Sequence, residues 1–597
     1  MKVLFFAPHS AIWIHAFPEA LVAEVLSQAG NEIIYVGCGG LLSSYCVSMI
    51  AQGVQFEATQ SERERVCSLC KQNKEILRTR FKFDGPDLSD TVNDEDLQGV
   101  DALVRSVTPK SCMDLVVNGV DVGRIALYEL LIQNKKVEIN FKSGEWQRYQ
   151  ASLRNAILVL RVMQRILSLE RPDRIVVYNA LYSVNRVVCR LAEINGIPQY
   201  FLHAGDNLSH RLSTLILARD NAFAYYKCLR NRWIELQDRP SSSDAMRSAT
   251  DHFLEVARGR SAWAYSAAPD RNADLRRRYG IEAGQRIICA TLSSDDERFS
   301  GEVIGALPVN IPLMFPRQVD WIKALIQYVD ERKQLSLIIR VHPREFPNKR
   351  ESVLSEHAKM LKLALSELPD NVKVNWPADN VSLYDLANIA DVFANAWSSA
   401  GKEMAWLGLP VVLYSKDLTL YPANLNYVGA TEVEYFQMIE QALRDGWDPQ
   451  RIRNTYRWCA IEYKLAALDI SESFSGREHR SILARAKSRI LRGLRLSQEQ
   501  ESDCRKRAPR LTASRQINSI LMNQLDSVLD LDQVDIPASL DEESASLKNE
   551  VRRLVTGLYG VADDSQQNCL ANKLRRFASS KAAQGVACSR DSLGSVS

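Results

Sequence analysis

The chain has 597 residues, 46% of them hydrophobic and 25% charged, and a formal net charge of +3. Such a length exceeds what one hydrophobic core serves and predicts two or three domains; the composition is that of a folded globular protein, not a disordered one. Near-balanced charge offers no general field to a polyanion, which sets nucleic acid aside as a partner, and without a run of about 18 apolar residues no membrane span is expected.

The opening stretch MKVLFFAPHSAIWIHAF places one lysine before a short apolar run, as a signal peptide does. His9, His15 and Glu19 interrupt that run and no small-residue cleavage site follows, so residues 2–7 read as a buried first strand. Twelve cysteines without a secretion signal fit reduced thiols in a cytoplasm. PEALVAEVLSQAG then reads as a helix, with Pro18 tolerated in the first turn and Gly30 as its stop, and NEIIYVG as a second strand. Strand, helix, strand is how a doubly wound parallel sheet begins. The long loop PHSAIWIHAF falls at the carboxyl end of a strand, where such sheets hold ligands.

Residues 60–110 are polar and irregular, with SERERVCSLCKQNKEIL as a helix, and apolar spacing predicts a long helical region over 123–170. The parallel pattern resumes with the strand RIVVYN (174–179), the helix SVNRVVCRLAEING and the strand IPQYFLHAG, whose polar end carries His203, Gly205 and Asp206. A second unit begins near 275. Its strands are RIICATLSS, ending in Ser293 and Ser294, then LSLIIRVHP, VKVNW, DVFANAW and PVVLYS, with helices between them.

The expected fold class is therefore α/β, with two Rossmann-like doubly wound domains facing across a cleft. Residues 1–265 form the first, with a helical insert, residues 275–475 the second, and 476–597 a helical appendage with a loose tail. The basic amphipathic segment REHRSILARAKSRILRGLRL has two readings: a helix lying peripherally on an anionic membrane surface, or a solvated helix closing back on the first domain.

Two stretches of the second unit carry chemistry. HPRE, His342 to Glu345, ends a strand with an imidazole and a guanidinium that can donate to a phosphate, Arg344 in bidentate fashion. The plainer alternative is a strand end whose Arg344 pairs with Glu345 at the surface. In NAWSSAGKEMAWLGLP, Ser398 and Ser399 stand where a helix begins, with Gly401 next and Glu403 in its first turn. Free N–H groups and two hydroxyls there can bind an anion, although serine is also the ordinary N-cap.

LSLIIRVHPRE followed by NVSLYDLANIADVFANAWSSAGKEMAWLGLPVVLY resembles the donor-binding half of GT-B glycosyltransferases of the bacterial capsule and surface polysaccharide type. That group is similar to CMP-sialyl- and CMP-Kdo-transferases and CDP-glycerol glycerophosphotransferases, which share His-Pro and Ser-Ser motifs. The resemblance implies a nucleotide-sugar donor, CMP-linked, and a glycan or lipid-linked glycan acceptor at the inner face of the membrane. It implies transfer without a divalent metal, His342 on the donor phosphate, Ser398 and Ser399 on phosphate or ribose, and Glu403 near the nucleotide. The base that deprotonates the acceptor is then expected from the first domain, with His9, His15, Asp206 and Glu19 as candidates. Two other functions share the fold: a nucleotide-sugar 2-epimerase and a non-catalytic binding protein.

Cys38 and Cys46 in YVGCGGLLSSYC, with Cys67 and Cys70 in RVCSLC, form a third constellation. Cys-x2-Cys lets two thiolates reach one ion from one helical turn, and the upstream pair can complete a structural zinc site or an iron–sulfur cluster. Against this, Cys-x7-Cys is not a usual zinc spacing, and Cys38 also reads as a buried strand-end residue.

Overall fold

Strand β1 (Lys2–Phe6) is KVLFF, buried on both faces after its first residue, as a strand inside a parallel sheet must be. In the computed structural model, which describes residues 1–259, 264–265, 267–270, 273–308, 311–348, 352–473, 511–531, 538–560 and 569–580, it lies one strand in from the edge of the first of two sheets. Parallel partners are β2 (Glu32–Val36) on one side and β3 (Arg174–Tyr178) on the other, and β4 (Gln199–Ala204) continues beyond β3. β5 (Thr214–Arg219) returns antiparallel to β4, and β12 (Leu468–Asp469), reached only near the end of the second domain, pairs antiparallel with β5. Helix α1 (Trp13–Gln28) follows β1 and buries Phe17, Leu21, Val22 and Leu26 against the sheet.

The second sheet is wholly parallel, in the order β11-β10-β9-β6-β7-β8. Its strands are β6 (Arg286–Thr291), β7 (Leu335–Arg340), β8 (Val372–Asn375), β9 (Val392–Asn395), β10 (Val411–Leu413) and β11 (Tyr427–Val428). From β6 the chain builds outward through β7 and β8 to one side, then returns and builds through β9 to β11 on the other. That reversal leaves a crevice at the carboxyl ends of β6, β7 and β9, where doubly wound sheets take ligands. Thr291, Arg340 and Asn395 stand side by side there. The α/β class with two Rossmann-like sheets is thus what the chain adopts.

Several elements differ from the sequence reading. The span 123–170 is not one helical run: Lys135 and Gly144 take left-handed backbone, at φ 48 and φ 82, and separate the short helix Tyr128–Asn134 from the 26-residue helix Glu145–Glu170. β5 and β12 are additional strands. The region after 476 is more than an appendage: helix Ser514–Met522 places Ile517, Ile520 and Leu521 in the same core as Val3, Phe5 and Leu21. Helix Leu540–Tyr559 packs Val551, Leu554 and Leu558 into the larger core shared with helix Ser243–Ala257. The basic segment after 477 lies outside the described residues, and among those described no helix is long and apolar enough to cross a membrane.

Candidate active site

A cavity of about 290 Å³ opens at the crevice of the second sheet and is closed from the other side by the first domain. The second domain contributes Thr291 and Leu292 after β6, Arg340, His342 and Pro343 after β7, and Trp397 to Ala400 after β9. Asp206, Leu208, Tyr226, His252 and Tyr265 face them, and Lys402, Glu403, Tyr421, Glu462 and Tyr463 complete the wall.

His342 stays at the strand end because Pro343 starts a single 3-10 turn, Pro343–Glu345, for which His342 is the cap. The Arg344 amide donates to His342 Nδ1 at 3.3 Å, which leaves the proton on Nε2. Burial pushes this imidazole down to about 4, so it meets a ligand as a neutral donor. His252 repeats the pattern. Its Nδ1 accepts from the Leu208 amide at 3.1 Å, its ring stacks on Tyr463 at 3.8 Å, and burial holds it well below its ordinary value.

Asn395 ties the β9 loop into shape. Fully buried, it accepts from Thr291 Oγ1 at 2.7 Å, and its amide donates to the Ser398 carbonyl at 3.0 Å and to Tyr421 Oη at 3.1 Å. Ser398 Oγ accepts from the Ala400 amide, and Ser399 Oγ donates to Glu403 at 2.9 Å. Glu403 also accepts from Tyr384 Oη at 2.7 Å, so both its oxygens are engaged. Gly401 is required by proximity: a Cβ would sit within 2.6 Å of Asn395 Nδ2 and collide with the Tyr421 hydroxyl.

Behind this loop, Lys402 Nζ donates to both oxygens of Glu462, at 2.7 and 2.6 Å, and to Tyr463 Oη at 2.6 Å. Burial opposes charge on both partners. For Lys402 the carboxylate outweighs it and keeps the amine protonated, whereas for Glu462 burial prevails and raises its carboxyl. Glu462 and Tyr463 belong to a π-helical turn, Ile461–Leu465, that follows helix Pro449–Ala460; such turns recur at functional sites. Across the cavity, Asp206 accepts from Tyr226 Oη at 2.7 Å.

The sequence-derived candidates divide into those that line the cavity and those that do not. His342, Ser398, Ser399, Glu403 and Asp206 do, and Gly401 lies just beneath. Arg344 does not: the 3-10 turn carries it back over helix Asp295–Val303, where it pairs with Asp296 at 2.6 Å and Glu297 at 3.4 Å. The phosphate role expected for it is therefore corrected to a buried structural ion pair. Glu345 is likewise buried, accepting from Ser355 Oγ and pairing with His357 at 3.4 Å. Ser293 exchanges backbone hydrogen bonds with the Gln318 amide, and Ser294 is buried at the start of the same helix; neither reaches the cavity.

His15 is stacked on Tyr178 at 4.0 Å, and burial, with His9 and His203 nearby, pushes it down to about 3. His9 lies edge-on to Tyr182 and is pushed by burial to about 4; it lines a separate pocket of about 30 Å³ with Cys46, Glu129 and Arg148. Burial lifts the Glu19 carboxyl well above the usual range. Of the four candidate bases, Asp206 is the one at the cavity. Arg340, His252, Asn395, Lys402, Glu462 and Tyr463 were not singled out by sequence.

Cys38 follows β2, Cys46 caps helix α2 (Val47–Ala51), and Cys67 and Cys70 stand one turn apart on helix α3 (Gln60–Phe81). Among the described residues, the set of three ligand atoms within 4.8 Å of one another is Cys228, Asp526 and Asp530; no three of these four sulfurs meet that distance.

Fold and cavity together define an α/β protein with a cleft between two Rossmann-like domains. No family model and no curated protein matches the chain. Solved structures similar to it include KpsC, a beta Kdo 2,4 transferase of Thermosulfurimonas dismutans, at 15% identity over 50% of this chain and 82% of that one, TM-score 0.32. A UDP-GlcNAc 2-epimerase of Neisseria meningitidis is 12% identical over 77% and 94%, TM-score 0.24, and the spinosyn rhamnosyltransferase SpnG 11% over 78% and 95%, TM-score 0.22. Glycosyltransferases and nucleotide-sugar 2-epimerases thus both stand among the neighbours.

Proposed function

We propose that the protein is a glycosyltransferase that takes a sugar from a nucleotide-activated donor to a glycan acceptor. The observation that carries this reading is the convergence, in one interdomain cavity, of His342 with Ser398 and Ser399 on one wall and Asp206 on the other. As the bond between the anomeric carbon and the nucleotide breaks, its electron pair stays on the phosphate oxygen. Nε2–H of His342 and the Ser398 hydroxyl, whose oxygen accepts from the Ala400 amide and whose proton is left to a ligand, gain most as that charge develops, while Ser399 spends its proton on Glu403. The acceptor hydroxyl attacks the anomeric carbon and its proton passes to the Asp206 carboxylate, which Tyr226 orients. The stacked rings of His252 and Tyr463 line the space between, where the sugar would lie. The charges of the step are met by groups of the chain, so this reading calls on no divalent ion. The capsule-type resemblance extends it to a CMP-linked donor and a surface glycan, free or lipid-linked.

A second reading, epimerisation of a nucleotide sugar at C2, is favoured by the carboxylates Asp206 and Glu462 lining the same cavity as His252. The two are separated by incubating the protein with nucleotide sugars, with and without a glycan acceptor. Transfer predicts nucleotide release that depends on acceptor; epimerisation predicts an inverted sugar without one. Binding itself is tested by thermal stabilisation across a nucleotide panel. CMP is expected to stabilise more than UDP, and His342→Asn to weaken binding by roughly 10- to 100-fold, the loss of a hydrogen bond to a charged group. Wild-type affinity in a folded His342→Asn variant would sink the phosphate assignment.

A further inference from the structure

The four clustered cysteines lie outside the mechanism above, yet three separate elements bring them together. Each is partly buried, and all four are free thiols. Cys46, Cys67 and Cys70 pack against one small cluster of Tyr45, Met49 and Val66, Cys70 Sγ donates to Ser48 Oγ at 3.6 Å two residues beyond Cys46, and Cys38 joins Cys46 against the adjoining core that holds Leu42. Backbone amides are aimed at two of them: Ala11 N–H donates to Cys70 Sγ at 3.2 Å and Leu42 N–H to Cys38 Sγ at 3.4 Å. A neutral thiol is a weak acceptor, and amide donors directed at sulfur are the surroundings of metal-bound thiolates.

The spread of the sulfurs selects the kind of centre. On one zinc ion, four thiolates at about 2.3 Å stand about 3.8 Å apart, so any three would fall well inside the 4.8 Å that no three here satisfy. An iron–sulfur cluster carries its thiolates on separate iron atoms and needs the wider set. We propose that Cys38, Cys46, Cys67 and Cys70 hold an iron–sulfur cluster at the carboxyl end of β2. Each thiol releases its proton to solvent as it binds ferric or ferrous iron, and inorganic sulfide bridges the irons. Through the Ala11 amide and the Cys46 side of the His9 pocket, the cluster would brace the loop after β1, on the face of the first domain that meets the cleft.

The test uses the full chain, produced with iron and cysteine supplied and purified without oxygen, or reconstituted anaerobically with ferric and ferrous iron and sulfide. The expected protein is brown, with the broad visible absorption of iron bound to sulfur and about two or four irons per chain matched by acid-labile sulfide. Iodoacetamide should then alkylate the exposed Cys569 and spare the four, which become reactive once iron is chelated. Cys67→Ser should lose colour and iron, and nucleotide-induced stabilisation of the second domain reports that the variant is folded. A colourless chain carrying one zinc ion, or four cysteines alkylated as readily as Cys569 after reconstitution, would overturn the proposal.

Discussion

Lys402 shows how much of the cavity wall hangs on one buried charge. Its ammonium satisfies both oxygens of Glu462 and the Tyr463 hydroxyl, and neither charged partner is more than 6% exposed. Removing only one member of such a pair strands the other, which typically costs about 3–5 kcal/mol. Lys402→Met is therefore expected to destabilise the protein by that amount in urea titrations, and Lys402→Met with Glu462→Leu to recover most of it; a double variant no more stable than the single would refute the pair's role. His15 makes a second prediction at this scale. Burial, first of all, and the nearby His9 and His203 hold it at about 3, below the ordinary 6.5 it regains on unfolding. Its share of stability is whole above pH 6.5 and is lost as the pH falls from there toward 3, because only the unfolded chain takes up the proton. His15→Phe, which keeps the stack on Tyr178, should lose less stability than wild type between pH 7 and pH 4.5. Parallel urea midpoints for the two would show the prediction wrong.

At the scale of elements, the strand ends were legible and the reach of the turns was not. KVLFF, LSLIIR and DVFAN announce buried strands by unbroken apolar runs, and the polar residues after them fall at the cavity because parallel strands all end on one side. That logic found His342, Ser398 and Asp206. It failed for Arg344 because a residue's side of a 3-10 turn depends on the turn itself, and Asp296 lies 48 positions away. Glu462 and Tyr463 were invisible for the same reason: a π turn 60 residues beyond Lys402 has no periodic signal. The turn that holds His342 is itself gripped from the first domain. Lys135, fully buried, donates to the carbonyls of Arg344, Phe346 and Val353, the last at 3.0 Å. Lys135→Met would leave the buried Arg344 carbonyl and the half-buried carbonyls of Phe346 and Val353 without this donor, at about 1–3 kcal/mol for the buried one and less for the others. It should lower stability by several kcal/mol and weaken nucleotide binding although Lys135 touches no part of the cavity. Nucleotide affinity unchanged in a folded, destabilised variant would show that the grip does not position His342.

For the whole molecule, the chain's last third crosses back over the boundary that sequence placed at 475. After the second domain is complete, Leu468 enters the first sheet beside β5 and the Ile470 amide donates to the Ser213 carbonyl. Helix Ser514–Met522 then covers the first sheet's outer face. The Leu521 carbonyl accepts from Arg174, and Ile517, Ile520 and Leu521 are fully buried beside α1. Two domains joined by one linker could melt separately. Two domains stitched by a returning strand and helix, and by Lys136 paired with Glu356 at 3.3 Å, should unfold together. A chain ending at 473 therefore loses Ile517, Ile520 and Leu521 from the first core and Val551, Leu554 and Leu558 from the larger one, each worth roughly 1.5–3 kcal/mol, and exposes Val3, Phe5 and Leu21. It is expected to melt lower than the full chain and to split one calorimetric transition into two, the upper one still raised by nucleotide because the second sheet keeps its crevice. A truncated chain with the full chain's single transition and melting temperature would show that residues 511–531 contribute nothing to the first domain's core.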